Sequence, residues 1–426
     1  MIEKLADGVA MDIAVYPILL EWVETAFRIA HVATAIAWIG SSFYFIALDL
    51  GLRRDGPLPE KVNGEEWQVH GGGFYHVQKY NVAPPNLPEH LTWFKWESYA
   101  TWLTGFAMLV LVYYLGADLY LIDPNVLDIP IWGGILISLG SIALTWVVYD
   151  VLCKSPLGRD STRLMIILFI ILVVLAWAYT QVFSGRAAML HLGAATATIM
   201  SANVFMIIIP NQKIVTKDLR EGREPDAKYG VIAKQRSTHN NYLTLPVLFL
   251  MLSNHYPLVF ASDFNWLIAG LVFLIGVCIR HFFNTRDARK GNPAWTWSAA
   301  IFLFAVVIAL SVWPFLYKAP RGEAEAATVT ASLTPSQTRL MQAPEFADVH
   351  TIVQNRCMVC HAEAPAWQGL YGAPKEVALE TPEETAIHAK HIYLQSALTD
   401  AMPPANKSGM REEERLAIKE WFENYR

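Results

Sequence analysis

Charge is scarce in this chain. Asp, Glu, Lys and Arg supply 17% of its 426 residues, while 54% are hydrophobic. An ordinary soluble domain carries roughly 25% charged residues, so the deficit points to a polytopic membrane protein in contact with bilayer lipid. The net charge of −5 is small and gives no reason to expect a nucleic-acid partner. Cysteine is scarcer still: four residues leave no disulfide framework. Cys153 and Cys278 sit inside apolar runs, so only one Cys pair remains, too few for the usual four ligands of a zinc site. The opening Met1-Ile2-Glu3-Lys4-Leu5-Ala6-Asp7 has no basic n-region and no small-residue cleavage site. No cleaved signal peptide is expected, and the first apolar helix acts as its own insertion signal. A Gly-Lys-Ser/Thr phosphate loop and a Rossmann fingerprint are both missing, so neither nucleotides nor nicotinamide are indicated.

What is present begins with Cys357-Met358-Val359-Cys360-His361. Cys-x-x-Cys-His is the attachment pattern of a c-type haem: Cys357 and Cys360 add to the vinyl groups, and His361 supplies an axial iron ligand. In bacteria this attachment takes place outside the cytoplasmic membrane, so the tail from about residue 325 is expected on that side. A second axial ligand is sought in Asp400-Ala401-Met402-Pro403-Pro404-Ala405-Asn406, where paired prolines can hold Met402 rigidly against the haem face. Met410 is the competitor.

Eight apolar runs are long enough, or nearly so, to cross a bilayer; they lie near 22–48, 95–116, 131–152, 163–183, 187–210, 239–255, 264–284 and 296–318. The sixth is the most polar, opening on Asn240-Asn241 and interrupted by Pro246. Lys and Arg concentrate in alternate loops: Arg53, Arg54, Lys61, Lys79 and Lys95; Lys154, Arg159 and Arg163; Lys213 through Arg236; Arg280 through Lys290. The positive-inside rule makes those loops cytoplasmic and places both termini outside. That is where haem attachment requires the tail, by an argument independent of the motif. His31-to-Phe45 and His191-to-Phe205 share His, Ala, Ile, Ser and Phe at matching positions, which hints at two four-helix repeats. The alternative is that small residues and Ile recur in any packed membrane helix. After Pro320 the composition turns small and polar, as in a linker. The expected organisation is all-α: an eight-helix transmembrane bundle over 1–320, a linker over 321–339 and a class I-like cytochrome c domain over 340–426. A helix over 343–356 leads into the Cys motif, and an amphipathic helix with apolar Leu416, Ile418, Trp421 and Phe422 closes the chain.

Ionisable groups inside apolar helices are functional candidates because lipid penalises them. His31 and His191 fall in outer halves of their helices, and His239 and His281 at cytoplasmic ends. His31 and His191 are weighed as ligands of a second haem, of b type, against simple hydrogen bonding between helices. The first cytoplasmic loop holds Trp67-Gln68-Val69-His70-Gly71-Gly72-Gly73-Phe74-Tyr75-His76-Val77-Gln78-Lys79-Tyr80. Its glycines open backbone conformations closed to other residues, and its His, Gln, Lys and Tyr groups could bind a flat polar anion. An interfacial loop anchored by Trp and Tyr is the alternative.

The segments His31-to-Phe45, His70-to-Tyr80 and His90-Leu91-Thr92-Trp93-Phe94-Lys95-Trp96-Glu97 resemble the bacterial integral-membrane, cytochrome c-coupled urate oxidases. The resemblance covers essentially the whole chain, and the Gly-Gly-Gly-Phe-Tyr-His-Val-Gln-Lys-Tyr run is its specific part. It implies oxidation of urate to 5-hydroxyisourate in purine catabolism at a bacterial inner membrane. Electrons would pass to the haem and on to a soluble cytochrome c or a terminal oxidase. His70, His76 and His239 are the candidate proton acceptors, with Lys79 or Arg236 offsetting urate's charge. The other classes left open are an oxidoreductase for quinol or another substrate, and a transporter or haem-handling protein with a fused cytochrome.

Overall fold

The computed structural model describes residues 2–80, 84, 87–123, 126–260, 262, 264–317, 333–367, 370, 372–374, 377–398 and 402–426. It divides into two compact units, Met1–Lys318 and Ala319–Arg426.

The first unit is built on eight long helical segments among the described residues. They are α1 (Ile2–Gly51), α2 (Trp96–Met108, continued by the π-wound Leu109–Tyr114), α3 (Ile131–Lys154), α4 (Ser161–Thr180), α5 (Gly185–Arg220), α6 (Ala227–Leu252), α7 (Asn265–Asp287) and α8 (Trp295–Tyr317). Six are long and apolar enough to cross a membrane; α2 and α6 are not among them. The helices are not amphipathic in the soluble sense. In α4, Leu164, Leu168, Leu172, Ala176 and Tyr179 recur at helical spacing and are buried, while Ile166, Ile170, Val174 and Trp177 on other faces stay exposed although equally apolar. A helix that is hydrophobic all round yet half exposed is suited to lipid on its outer face. Ends are set locally: Asp160 accepts from the Thr162 and Arg163 amides at the start of α4, and Ser184 caps α5 through Ala187. Pro246 lies inside α6, and Gly276 of α7 makes room for it: a Cβ there would stand 2.7 Å from Pro246 Cδ.

Three expectations are corrected. The chain is mostly helical but not all-α, because the first loop folds into an antiparallel hairpin, β1 (Val62–His70) and β2 (Gly73–Tyr80). Gly71 and Gly72 both take positive φ, 58° and 79°, as a tight two-residue hairpin turn requires. The sixth helix begins at Ala227 rather than near 239, and the fifth extends to Arg220. Most of the basic residues between 213 and 236 are therefore on helices, not in a loop. In the second unit, the helix Pro335–Gln342 starts inside the stretch read as linker, of which 321–332 fall outside the described residues.

That second unit comprises α9 (Pro335–Gln342), α10 (Phe346–Arg356), α11 (Pro382–Ile387) and α12 (Glu412–Tyr425), with shorter turns between them. Thr334 and Gln337 cap α9 reciprocally, as Thr381 and Glu384 cap α11. Leu340, Phe346, Val349, Val353, Ile392, Tyr393, Ile418, Trp421 and Phe422 form its core. Trp421, fully buried, keeps its indole N–H satisfied on the Leu340 carbonyl at 2.9 Å. Arg356 at the end of α10 grips the Glu414 carboxylate, with its Nη2 2.9 Å from Oε1.

Candidate functional site

The Cys motif follows directly from α10. Val349 and Val353 are buried one turn apart, and Cys357 continues that face into the core. The chain then curls tightly: the Cys360 and His361 amides both donate to the Cys357 carbonyl, at 3.1 and 2.8 Å. His361 Nδ1 lies 2.8 Å from the Val377 carbonyl oxygen. A carbonyl only accepts, so Nδ1 carries the hydrogen and Nε2 keeps its lone pair. Burial pushes the Cys357 thiol up to about 12, the opposite of the depressed thiol of a redox-active Cys-x-x-Cys. Met402 is half-buried; its amide donates to the Gln395 carbonyl at 2.8 Å and its own carbonyl accepts from Arg415 at 3.0 Å. Met410 is packed into the unit's apolar core, with backbone N–H and C=O both held by the Asn406 side chain. Sequence reasoning passed over His388. It is half-buried, its buried Nδ1 has no hydrogen-bond partner among the described residues, and desolvation together with nearby His391 and His361 lowers it to about 4.

In the first unit, the candidate residues fall in two places: His70, His76 and Lys79 on the hairpin, His239 on α6. His70 is exposed at the end of β1, next to the turn. His76 stacks on Trp67 with ring centroids 4.1 Å apart and places Nε2 2.7 Å from Glu65 Oε2. Lys79 pairs with Asp49 at 2.5 Å. His239 is fully inside the bundle, and no contact among the described residues joins it to the hairpin.

His239 belongs to a different and denser constellation. On α6, Arg236, His239, Asn240, Leu243 and Thr244 recur at helical spacing, and all five are buried. Arg236 pairs with Asp150 of α3 at 2.7 Å and lies over the Tyr149 ring at 4.9 Å. Its Nη1 donates to Asn203 Oδ1 at 3.2 Å. Arg can only donate, so this bond fixes the Asn203 amide. Asn203 Nδ2 then donates to the Tyr149 hydroxyl at 3.1 Å and to Asn240 Oδ1 at 2.9 Å. The Tyr149 hydroxyl also lies 2.8 Å from His239 Nδ1 and beside the Cys153 thiol; it donates to Nδ1 when that nitrogen is bare and accepts from it when Nδ1 carries the hydrogen. A neutral imidazole that accepts at Nδ1 carries its hydrogen on Nε2. That Nε2 and Arg236 Nε are both buried without a hydrogen-bond partner among the described residues. Two unused nitrogens, one of them the Arg236 N–H donor, thus stand in one buried cluster, where an unsatisfied polar group costs of order 1–3 kcal/mol. Asn203 opens the π-wound turn Asn203–Ile208 of α5; such turns often mark functional sites in helices.

A family model described as "Urate oxidase N-terminal" matches residues 17–311 of the chain. The chain belongs to this urate oxidase family. The match runs from α1 into α8, takes in the hairpin and the Arg236 cluster, and ends before the second unit. Comparison with curated proteins and with solved structures finds no match.

Within the urate oxidase region, His31 and His191 have separate surroundings. His31 Nδ1 lies 3.0 Å from the Thr101 carbonyl and 3.2 Å from Thr104 Oγ1, against α2 at Gly105, where a Cβ would come within 2.8 Å of the ring. His191 is fully buried, donates from Nδ1 to Ala187 O at 2.8 Å, and is ringed by Phe183, Tyr113 and Tyr179 with centroids 4.7–6.0 Å away. No contact among the described residues joins the two imidazoles. An open groove of about 420 Å³ is lined by His90 and Trp93 from the segment after the hairpin and by Lys213, Lys217 and Arg220 of α5. Glu89 and Glu221 line it as well, so its charge is mixed with a small basic excess.

Proposed function

We propose that this protein oxidises urate to 5-hydroxyisourate at a bacterial inner membrane and passes the electrons to a c-type haem on its C-terminal unit. The observation that carries the reading is the urate oxidase family match over residues 17–311, the stretch containing the Arg236–His239 cluster. Urate plus water yields 5-hydroxyisourate, two electrons and two protons, so the site must bind a planar anion and handle protons. The cluster supplies Arg236 Nε–H and His239 Nε2–H as buried donors for urate's carbonyl and ring acceptors. In the tautomer in which Tyr149 donates to Nδ1, His239 is a donor at Nε2. It becomes a proton acceptor at Nε2 only when its hydrogen shifts to Nδ1 and the Tyr149 hydroxyl turns to accept it. Asp150 is the one of these groups nearest solvent and balances the Arg236 charge. The hairpin's His76 and Lys79 are already engaged by Glu65 and Asp49, so no step is placed on them.

The second unit fits a covalently bound haem. Cys357, Cys360 and His361 share one tight turn, and the Val377 carbonyl holds His361 Nδ1–H and leaves Nε2 its lone pair, the hydrogen-bonding pattern that holds a ligating His in place. Met402 is the proposed second axial ligand, since Met410 is occupied as a core residue. The haem would supply a one-electron acceptor. The eight-helix count, with α2 and α6 completed as spans by their neighbours, both termini outside and the domain limits near 320 and 340, belongs to the same proposal. A second haem of b type on His31 and His191 stays the alternative; as the chain stands, His31 bonds to α2 and His191 to the Ala187 carbonyl.

Urate added anaerobically to membranes containing the full chain should reduce the c-type haem, read at its visible α band. An unchanged spectrum in intact, haem-loaded protein would sink the proposal. A pyridine haemochrome spectrum is expected to report c-type haem alone; a b-type component would restore the two-haem route.

A further inference from the structure

The hairpin is left without a catalytic role, and its shape asks for another. Between Trp67 and Val77 there is no Asp, Glu, Lys or Arg, while Glu65, Glu66 and Lys79 stand at the base. Charge thus stops where the strands leave the end of α1. The contacts along β1 give its direction. Arg53, just past α1, is bridged to Glu65. Glu66 lies against Gly51, within 3.5 Å of the position a Cβ would take there. Gln68 accepts from the Tyr44 hydroxyl at 2.7 Å. Advancing along β1 therefore means retreating along α1, and the strand runs back beside the helix.

The depth follows from standard rises. Seven residues of helix from Gly51 to Tyr44 span roughly 10 Å at 1.5 Å each. The turn at Gly71-Gly72 lies a further three residues of strand beyond Gln68, roughly 10 Å at most. The tip is thus level with the apolar part of α1, past its last acidic residue, Asp49. There the hairpin exposes Val69 by 72% and Phe74 by 78%, directly opposed across the strands, with Trp67 exposed on the same face and Tyr75 beside them. An apolar, aromatic tip continuous with the exposed flank of a spanning helix matches the chemistry of the headgroup–acyl boundary. Both outer strand edges carry unpaired backbone groups, which excludes the hydrocarbon core itself and sets the tip at its rim.

We propose that the β1–β2 hairpin is an interfacial anchor that rests its Trp67–Val69–Phe74 face in the lipid leaflet where α1 ends. The proposal rests on the reading that α1 spans a bilayer, and its test separates the two. Full-length protein in nanodiscs of phosphatidylethanolamine and phosphatidylglycerol is made with p-benzoylphenylalanine at position 74, at position 36 on the exposed flank of α1, or at position 60 at the hairpin base. After irradiation, mass spectrometry should find lipid adducts at 74 and 36, and several-fold fewer at 60. Lipid adducts at 36 without adducts at 74 overturn the anchor while leaving the membrane reading standing. An adduct from 74 to protein, whether a second chain or the 319–426 unit, also overturns it. Absence of lipid adducts at both 36 and 74 overturns the membrane reading and the anchor together.

Discussion

Replacing Tyr149 by Phe tests the Arg236–His239 cluster with one atom. The ring, about 1% exposed, would stay in place under the Arg236 guanidinium, so packing is preserved. The lost hydroxyl bridges Asn203 Nδ2 at 3.1 Å and His239 Nδ1 at 2.8 Å. Asn203 keeps a second acceptor in Asn240, so its loss is small. His239 Nδ1 keeps none, and a buried group left unsatisfied costs about 1–3 kcal/mol. That cost falls on the tautomer that presents Nε2–H, so His239 no longer favours donation at Nε2. If urate is bound there, kcat/KM should fall about 10- to 100-fold, the equivalent of about 1.4–2.7 kcal/mol. The assay is urate-dependent haem reduction in membranes, with haem content per chain as the folding control. His76→Ala is the comparison. Its pair with Glu65 is largely exposed, worth about 1 kcal/mol or less, and turnover should stay within about twofold of the parent. Wild-type kcat and KM in Tyr149→Phe, with full haem content, would refute the assignment of the cluster as the substrate site. Reduced turnover in His76→Ala alone would move the site to the hairpin.

Other consequences are local. Burial raises the Glu414 carboxyl, but hydrogen bonds from Arg356 and Arg411 outweigh it and hold the group at about 2, against an ordinary 4.5. The depressed value means that the charged form stabilises the fold. The contribution, of order 2–3 kcal/mol, is complete above pH 4.5 and lost as pH falls toward 2. Glu414→Gln should therefore lower the unfolding temperature of the second unit at neutral pH and flatten its loss of stability between those limits; an unchanged acid profile would count against the Arg356 pair. Gly276→Ala should destabilise by about 1–3 kcal/mol, since its methyl would meet the Pro246 ring, and detergent-solubilised thermal unfolding reads it directly. Met402→Ala should lower the haem potential while leaving haem attached, whereas Met410→Ala should cost about 2–5 kcal/mol of stability as a core truncation. The reverse pattern would exchange their roles.

How much of this was legible before folding depends on whether the signal was local. Apolar length located the six helices that are long and apolar enough to cross a membrane, because a run of Leu, Ile, Val and Ala on the scale of a bilayer is seldom anything but a spanning or fully buried helix. It misplaced the start of α6 for a physical reason: Lys228, Lys234 and Arg236 read as loop charges, yet a helix can carry them on its first turns. The positive-inside rule counts charges and does not ask for their backbone. The hairpin was missed although its cue was present, two residues of Gly between alternating stretches that include Trp67, Val69, Phe74 and Val77. The three glycines drew attention to flexibility instead of to the two positive φ values that a tight turn demands. The Arg236–His239 cluster was half visible. Arg236 and His239 could be suspected as ionisable groups in a helix, and their spacing with Asn240 and Thr244 marks one polar face. Nothing local pairs that face with Tyr149 and Asp150, roughly ninety residues earlier. Nor does sequence announce that α5 winds as a π-helix from Asn203. Yet that residue joins the network: its amide, fixed by Arg236, donates to the Tyr149 hydroxyl that meets His239 Nδ1. A protonation state is a property of the packed network, and it becomes readable only when three helices are brought to hydrogen-bonding distance.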